Sequence, residues 1–215
     1  GDISWKSAAK YAEQSTSTMR TITTMRVPTV GTTGEFPIAK DDPAYQYDRN
    51  PSAVTPRTKT VSIPMNPVKA AKTSCLPMGA IGVAKNGVML YNALDARNMD
   101  ARAHEMQDSC EGHPNFAEYH YHAGSACVVG SETGSATLFG YAFDGFGIYV
   151  ERDKNGNMLD PGGELHAIGH RNPFIFDDLR PTRRRRHPHL AVSPTGAMPA
   201  AYRRQTADGG DELAP

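Results

Sequence analysis

The dipeptide Asn86-Gly87 constrains this chain more than any other local feature. It stands between two short apolar runs, Ala80-Ile-Gly-Val-Ala84 and Val88-Met-Leu-Tyr91. Asn and Gly tolerate the positive φ values of a type I′ turn, whose twist matches that of paired strands, so the segment predicts a β-hairpin. Lys59-Thr-Val-Ser-Ile63 alternates polar and apolar residues and stops at Pro64, as a strand does. Residues 117–122, 136–141 and 146–150 also read as strands, and Asn155-Gly156 marks a further turn. One helix of two turns is expected over residues 100–108, where the composition is helix-forming. With 20 Gly and 16 Pro among 215 residues, turns and short strands are favoured over long helices. The expected fold is all-β: an immunoglobulin-like or related β-sandwich with one short helix and long loops.

Three compositional zones divide the chain. Residues 1–35 are small and polar, residues 36–178 hold most of the aromatic and strand-forming material, and residues 179–215 are rich in Arg and Pro. In the first zone Ile3, Trp5, Ala9 and Tyr11 alternate with polar residues as in a strand, while Ser4 is also placed to cap a helix. Residues 19–30 are Thr-rich and β-branched, which favours extended structure. No tight-turn dipeptide folds this zone back on itself. It is therefore expected to act as a donor strand, adding to the sheet edge of a neighbouring copy through Ile3, Trp5 and Tyr11. The alternatives are the first strand of its own domain and a flexible tail. The Thr-rich stretch is a candidate for O-linked glycans, whereas no Asn-X-Ser/Thr sequon exists because Asn50 is followed by Pro51. Beginning at Gly1 rather than Met leaves a removed signal peptide and a cleaved tag both open.

Charge narrows the function classes. Lys plus Arg total 23 and Asp plus Glu total 23, so the basic excess of a nucleic-acid binder is missing. No apolar run approaches the ~18–20 residues of a membrane span. No phosphate loop, dinucleotide fingerprint or nucleophile elbow is present. The four consecutive arginines at 183–186 read as a solvated tail or as a polyanion contact.

The chemistry-bearing residues gather in one stretch. His104, His113, His120 and His122 fall within nineteen positions. Strand alternation puts both imidazoles of Tyr119-His-Tyr-His122 on one face and both tyrosines on the other. Histidines at i and i+2 can chelate one metal ion, with His104 from the short helix and His113 from a Gly-His-Pro turn as further ligands. Glu105 and Glu118 are nearby carboxylate donors. An all-imidazole set suits copper or zinc, and a carboxylate admits iron or manganese. The competing reading is a hydrogen-bonded polar patch without metal. Asp144 reads either as an outer carboxylate orienting an imidazole or as part of an Asp-Gly turn.

The run Leu76-Pro-Met-Gly-Ala-Ile-Gly-Val-Ala-Lys-Asn-Gly-Val-Met-Leu-Tyr-Asn-Ala-Leu-Asp95, then Ala103-His-Glu105, Asp108-Ser-Cys-Glu-Gly-His-Pro114, Tyr119-His-Tyr-His122 and Gly140-Tyr-Ala-Phe-Asp-Gly-Phe-Gly-Ile-Tyr149, resembles the YHYH-domain family. The resemblance runs over roughly residues 60–160. It implies a secreted or cell-surface protein and carries the family's motif histidines onto His104, His113, His120 and His122. Family members usually add a second Cys-Gly-His element and a second Tyr-His-Tyr-His. Here that region offers only Leu165-His-Ala-Ile-Gly-His170 and His187-Pro-His189. In an extracellular setting Cys110 and Cys127 are expected to form a disulfide around the motif, rather than supplying a thiolate ligand or staying free; Cys75 is the odd one.

Two functional expectations follow. The first is a non-enzymatic extracellular structural protein that self-assembles into a pilus-like fibre, its histidine cluster holding a structural metal. The second is a copper- or zinc-dependent metalloenzyme or metal-binding protein using His104, His113, His120 and His122.

Overall fold

The computed structural model describes residues 2–50, 52–68, 70, 76–116, 118–129, 137–150 and 175–176. Cys75, Asn155-Gly156, the arginines at 183–186 and His166, His170, His187 and His189 lie outside the described residues.

The chain is strand-rich and forms two sheets. The smaller is antiparallel, with β1 (Tyr11–Ser15), β2 (Met19–Thr24) and β3 (Lys59–Pro64) in that order. The larger contains β4 (Ala80–Ala84), β5 (Met89–Tyr91), β6 (Gly112–Pro114), β7 (Tyr119–Tyr121), β8 (Thr137–Ala142), β9 (Gly147–Val150) and β10 (Ile175–Phe176), in spatial order β10-β9-β8-β4-β5-β7-β6. Among the described residues two single-turn α-helices accompany them, α1 (Ala101–His104) and α2 (Ala126–Val129).

Alternation along the large sheet divides its side chains between two apolar clusters. Val83 and Met89 join Ile22 and Ile63 of the small sheet, with Tyr11, Val61 and Tyr141 packed around them. The next residues along, Ala84 and Leu90, enter the other cluster with Phe36, Tyr119, Tyr121, Phe139 and Ile148. The large sheet is therefore apolar on both faces, and the small sheet covers one of them. The two-layer, all-β reading holds. The 3+7 division and the parallel pairing of β5 with β7 depart from the wholly antiparallel immunoglobulin arrangement. A polar joint also ties the layers. Glu13 on β1 accepts from Tyr11, Arg20 and Lys85, and the Arg20 guanidinium lies 3.9 Å over the Tyr141 ring.

The β4–β5 hairpin forms where expected, with a different turn. Residues 85–87 make a three-residue loop closed by Ala84 N–H to Val88 O (2.8 Å) and Gly87 N–H to Ala84 O (2.9 Å). Within this loop positive φ is confined to Gly87, at +89°, so Asn86 is spared the left-handed conformation that type I′ demands. Its side chain instead donates to Val30 O (3.2 Å) and Tyr121 Oη (3.0 Å). A Cβ on Gly87 would meet Thr24 Oγ1 at 2.5 Å. Gly87→Ala should therefore lower stability by about 1–3 kcal/mol from backbone strain alone. A urea midpoint unchanged from wild type would contradict that placement.

The N-terminal zone finds partners within its own chain. β1 pairs with β2 through a Ser/Thr turn in which Thr16 Oγ1 accepts from Met19 N–H (3.0 Å) and Thr18 N–H (3.3 Å). β2 pairs in turn with β3, so the division at residue 35 is no break in the packing. Ile3 forms a two-bond bridge with Thr33, and half-buried Trp5 donates its indole N–H to Thr33 Oγ1 at 2.9 Å. The expected exchange of this segment between copies rested on a strand with no local partner, and β1 has one.

Candidate metal centre

The centre is built on the β6–β7 hairpin. Asn115 closes its turn, its N–H donating to Glu118 O (3.0 Å) and its Oδ1 accepting from Glu118 N–H (3.0 Å). The register sets His113 directly opposite His120 and Gly112 opposite Tyr121. Directly opposed residues share a face. His113, His120 and His122 therefore gather on one side, and the tyrosines enter the core on the other. A side chain at Gly112 would collide with the Tyr119 ring. Tyr119 Oη in turn donates to Asp108 Oδ2 (2.7 Å), and Asp108 Oδ1 accepts from Cys110 N–H (2.9 Å) and Gly112 N–H (3.1 Å). Asp108 thus shapes the loop that leads into β6.

All three imidazoles are buried, with 3%, 2% and 4% exposure for His113, His120 and His122. Ring centroids lie 4.5 Å apart for His113–His120, 4.8 Å for His120–His122 and 5.3 Å for His113–His122. One ligand atom from each lies within 4.8 Å of the others. Tyr91 stacks on His120 with 3.8 Å between centroids, while its hydroxyl donates to Glu118 Oε1 at 3.0 Å.

Backbone acceptors fix the tautomers. His120 Nδ1 faces Glu118 O at 3.1 Å and His122 Nδ1 faces Asn92 O at 2.5 Å. A carbonyl only accepts, so both Nδ1 atoms carry hydrogen, and each neutral ring then presents a lone pair at Nε2. Those two Nε2 atoms face each other at 3.1 Å. Lone pair against lone pair makes no hydrogen bond; an added proton or a shared metal ion resolves it. The third ring, His113, meets the Asn50 amide through Nδ1 (3.3 Å) and also turns Nε2 inward.

His104 does not join the group. It is exposed at the end of α1, its Nδ1 turned back to Asp100 O at 2.9 Å. The carboxylate of Glu105 comes in its place, with Oε2 3.2 Å from His113 Nε2 and 3.3 Å from His122 Nε2. Burial works to raise the Glu105 pKa, but contact with His113 and His122 outweighs it and holds the carboxyl well below its usual range. Glu118 is instead spent on Arg26 (2.9 Å) and Tyr91. Asp144 sits in the turn between β8 and β9, where Gly145 has φ +101°. The imidazole N–H groups of His120 and His122 go to backbone carbonyls.

A sequence profile described as YHYH protein matches residues 60–169, about half of the chain. The chain belongs to the YHYH protein family. Comparison with curated proteins and with solved structures gives no match. The matched region contains the whole histidine cluster, and the name-giving Tyr119-His-Tyr-His122 supplies two of its imidazoles, His120 from β7 and His122 from the residue just after it.

In this YHYH domain Cys110 and Cys127 form a disulfide that brackets all three histidines. Closing a loop of 17 residues' separation stabilises by about 3 kcal/mol in the chain-entropy account. The Cys110→Ser/Cys127→Ser double variant should lose that amount, read as a lowered urea midpoint relative to wild type under oxidising conditions.

Stability of the metal-free domain should also fall in acid. Burial, then the neighbouring His113 and His122, push the His120 pKa well below its ordinary 6.5. Below pH 6.5 the unfolded chain takes up a proton that the native chain refuses, so stability rises with pH there and is lost as pH drops. The slope is about 1.4 kcal/mol per pH unit for one proton. Glu105, with its lowered pKa, adds a loss in the same direction below about pH 4.3. Thermal melts between pH 7.5 and 5.0 test this, and a flat profile would contradict it.

The residues that sequence reasoning did not find are Asn50, Asn92 and Tyr91, which surround the imidazoles. Asn50 lies 63 positions from His113, and nothing in its local sequence signals the contact.

Proposed function

We propose that this protein is a non-enzymatic, secreted structural domain in which the YHYH histidines hold one divalent transition metal, zinc or copper, as an internal cross-link. The observation that carries the reading is the convergence of three buried imidazoles with their Nε2 atoms turned inward, two of them 3.1 Å apart with their other nitrogens already bonded to carbonyls. Neutral imidazoles held by outer hydrogen bonds are the usual state of metal-binding histidine.

One feature favours a structural role over catalysis. Two cavities near the site, of about 220 Å³ beside Asn115 and Glu118 and about 640 Å³ beside Met106 and Asp108, are lined by none of the three histidines. A catalytic metal needs a position that substrate reaches. The disulfide suits an oxidising compartment, and no helix among the described residues is long and apolar enough to cross a membrane.

Metal analysis of protein purified without chelator, with calorimetric titration of the stripped sample, tests the reading. One equivalent of zinc or copper is expected, lost in the His113→Ala/His120→Ala/His122→Ala variant. A wild-type protein that neither retains nor takes up a stoichiometric metal would sink it.

A further inference from the structure

Glu105 Oε2 and His113 Nε2 are fully buried polar atoms, and neither makes a hydrogen bond despite their 3.2 Å separation. The same carboxylate oxygen lies 3.3 Å from His122 Nε2, which is itself 3.1 Å from His120 Nε2. Close polar atoms that are not aligned along any N–H bond are arranged for something other than each other.

The spacings indicate what. Two ligand atoms each ~2.0–2.1 Å from one ion and separated by a tetrahedral angle lie about 3.3–3.4 Å apart. Square-planar neighbours at the same bond length lie about 2.9 Å apart. Of the three contacts, those of 3.2 and 3.3 Å made by Glu105 sit on the tetrahedral side, and the 3.1 Å between His120 and His122 lies midway. We infer that Glu105 is the fourth ligand of a closed His113/His120/His122/Glu105 tetrahedron, which takes a zinc-class ion and leaves no coordination position for solvent or substrate. The inference rests on the histidine cluster being a metal centre, and goes beyond it in naming the carboxylate, the geometry and the class of ion.

The chain supplies reasons for Glu105 to be there. α1 ends at His104, and the backbone of Glu105 after it is extended at φ −114° and ψ 139°. That break lets the side chain leave the helix direction, and Met106 N–H is then held by Asp48 Oδ2 at 2.8 Å. Three neutral imidazoles and one carboxylate leave a net +1 on a divalent ion, a smaller buried charge than four imidazoles would give. His104, the neighbour that matches the family's histidine pattern, stays outside.

Cobalt(II) replaces zinc and reports its geometry in the visible spectrum. The cobalt-loaded wild-type protein should show the intense bands of four-coordinate cobalt, unchanged on adding azide, because no position is open. Glu105→Gln should weaken cobalt and zinc binding by at least about 10–100-fold, the scale on which even outer partners of metal ligands act. Its bands should weaken toward those of higher coordination and respond to azide. His104→Ala should leave both affinity and spectrum as in wild type. If wild type binds cobalt but its spectrum shifts with azide, the site is open and Glu105 is not the fourth ligand; that result needs no variant to fold. If Glu105→Gln matches wild type in affinity and bands, the carboxylate assignment falls while the three-histidine centre stands. If wild type binds no metal at all, the centre itself falls, and the Glu105 assignment falls with it.

Discussion

Zinc at a thousand times its dissociation constant should stabilise the metal-free protein by about 4 kcal/mol, the free energy of mass action on a site that exists only in the folded chain. For a chain of this size that is a rise in Tm of roughly 8–16 °C. His113 stands on β6, His120 on β7 with His122 just after it, and Glu105 just after α1, so an ion that joined them would resist separation of all three elements. A chelator should return the transition to its starting point. His120→Ala should abolish the shift, because His120 is the central ring, facing His122, opposed to His113 and stacked under Tyr91. Differential scanning calorimetry with and without zinc measures the effect. A Tm that does not move in excess zinc would mean that the cluster is a polar patch stabilised by hydrogen bonds alone.

Removal of residues 1–24 should prevent the domain from folding, not release soluble monomers. The deletion takes away β1 and β2 and with them Ile22, which is fully buried against Ile63, Val83 and Met89. Emptying one such site costs about 2–5 kcal/mol. The deletion also uncovers parts of the other three side chains, each worth about 1.5–3 kcal/mol when fully buried. It breaks the Glu13–Lys85 and Arg20–Tyr141 joints between the sheets as well. The sum is comparable to the whole net stability of an ordinary domain, ~5–15 kcal/mol. Expression of the truncated chain, read by solubility and circular dichroism, should give aggregate or an unfolded spectrum. A truncated chain that stays folded and soluble would restore strand exchange as the use of this segment.

The parts of this outcome that were legible share a cause. β3, β4, β5 and the β7 strand advertise themselves through alternation and bounding Pro or Gly, which are backbone signals local to the sequence. The face-sharing of His120 and His122 follows from the pleat alone. The β1–β2 turn was not legible because it contains neither Gly nor Pro; Thr16 bonds the backbone with its hydroxyl, a weaker and commoner signal. The helix was expected at twice its length. Its composition favours continuation, but Asp48 captures Met106 N–H and Asp108 reaches Gly34 N–H (2.7 Å), so tertiary bonds outbid the next turn. That same shortening leaves His104 in solvent and brings Glu105 in, a one-residue exchange that no local pattern reveals.

The bracketing of the histidines by Cys110 and Cys127 has a consequence for the order of folding. Glu105, His113, His120 and His122 occupy one short stretch, whereas the contact of Arg20 with Tyr141 joins residues 121 positions apart. Short loops close within about 10–100 ns and at little entropic cost, while distant segments must wait for chain-wide search. The 17-residue separation of the two cysteines puts their encounter in the early class too. The β6–β7 hairpin can thus form early from local contacts and offer the remaining strands a preformed edge, with the slower oxidation of Cys110 and Cys127 locking that edge afterwards.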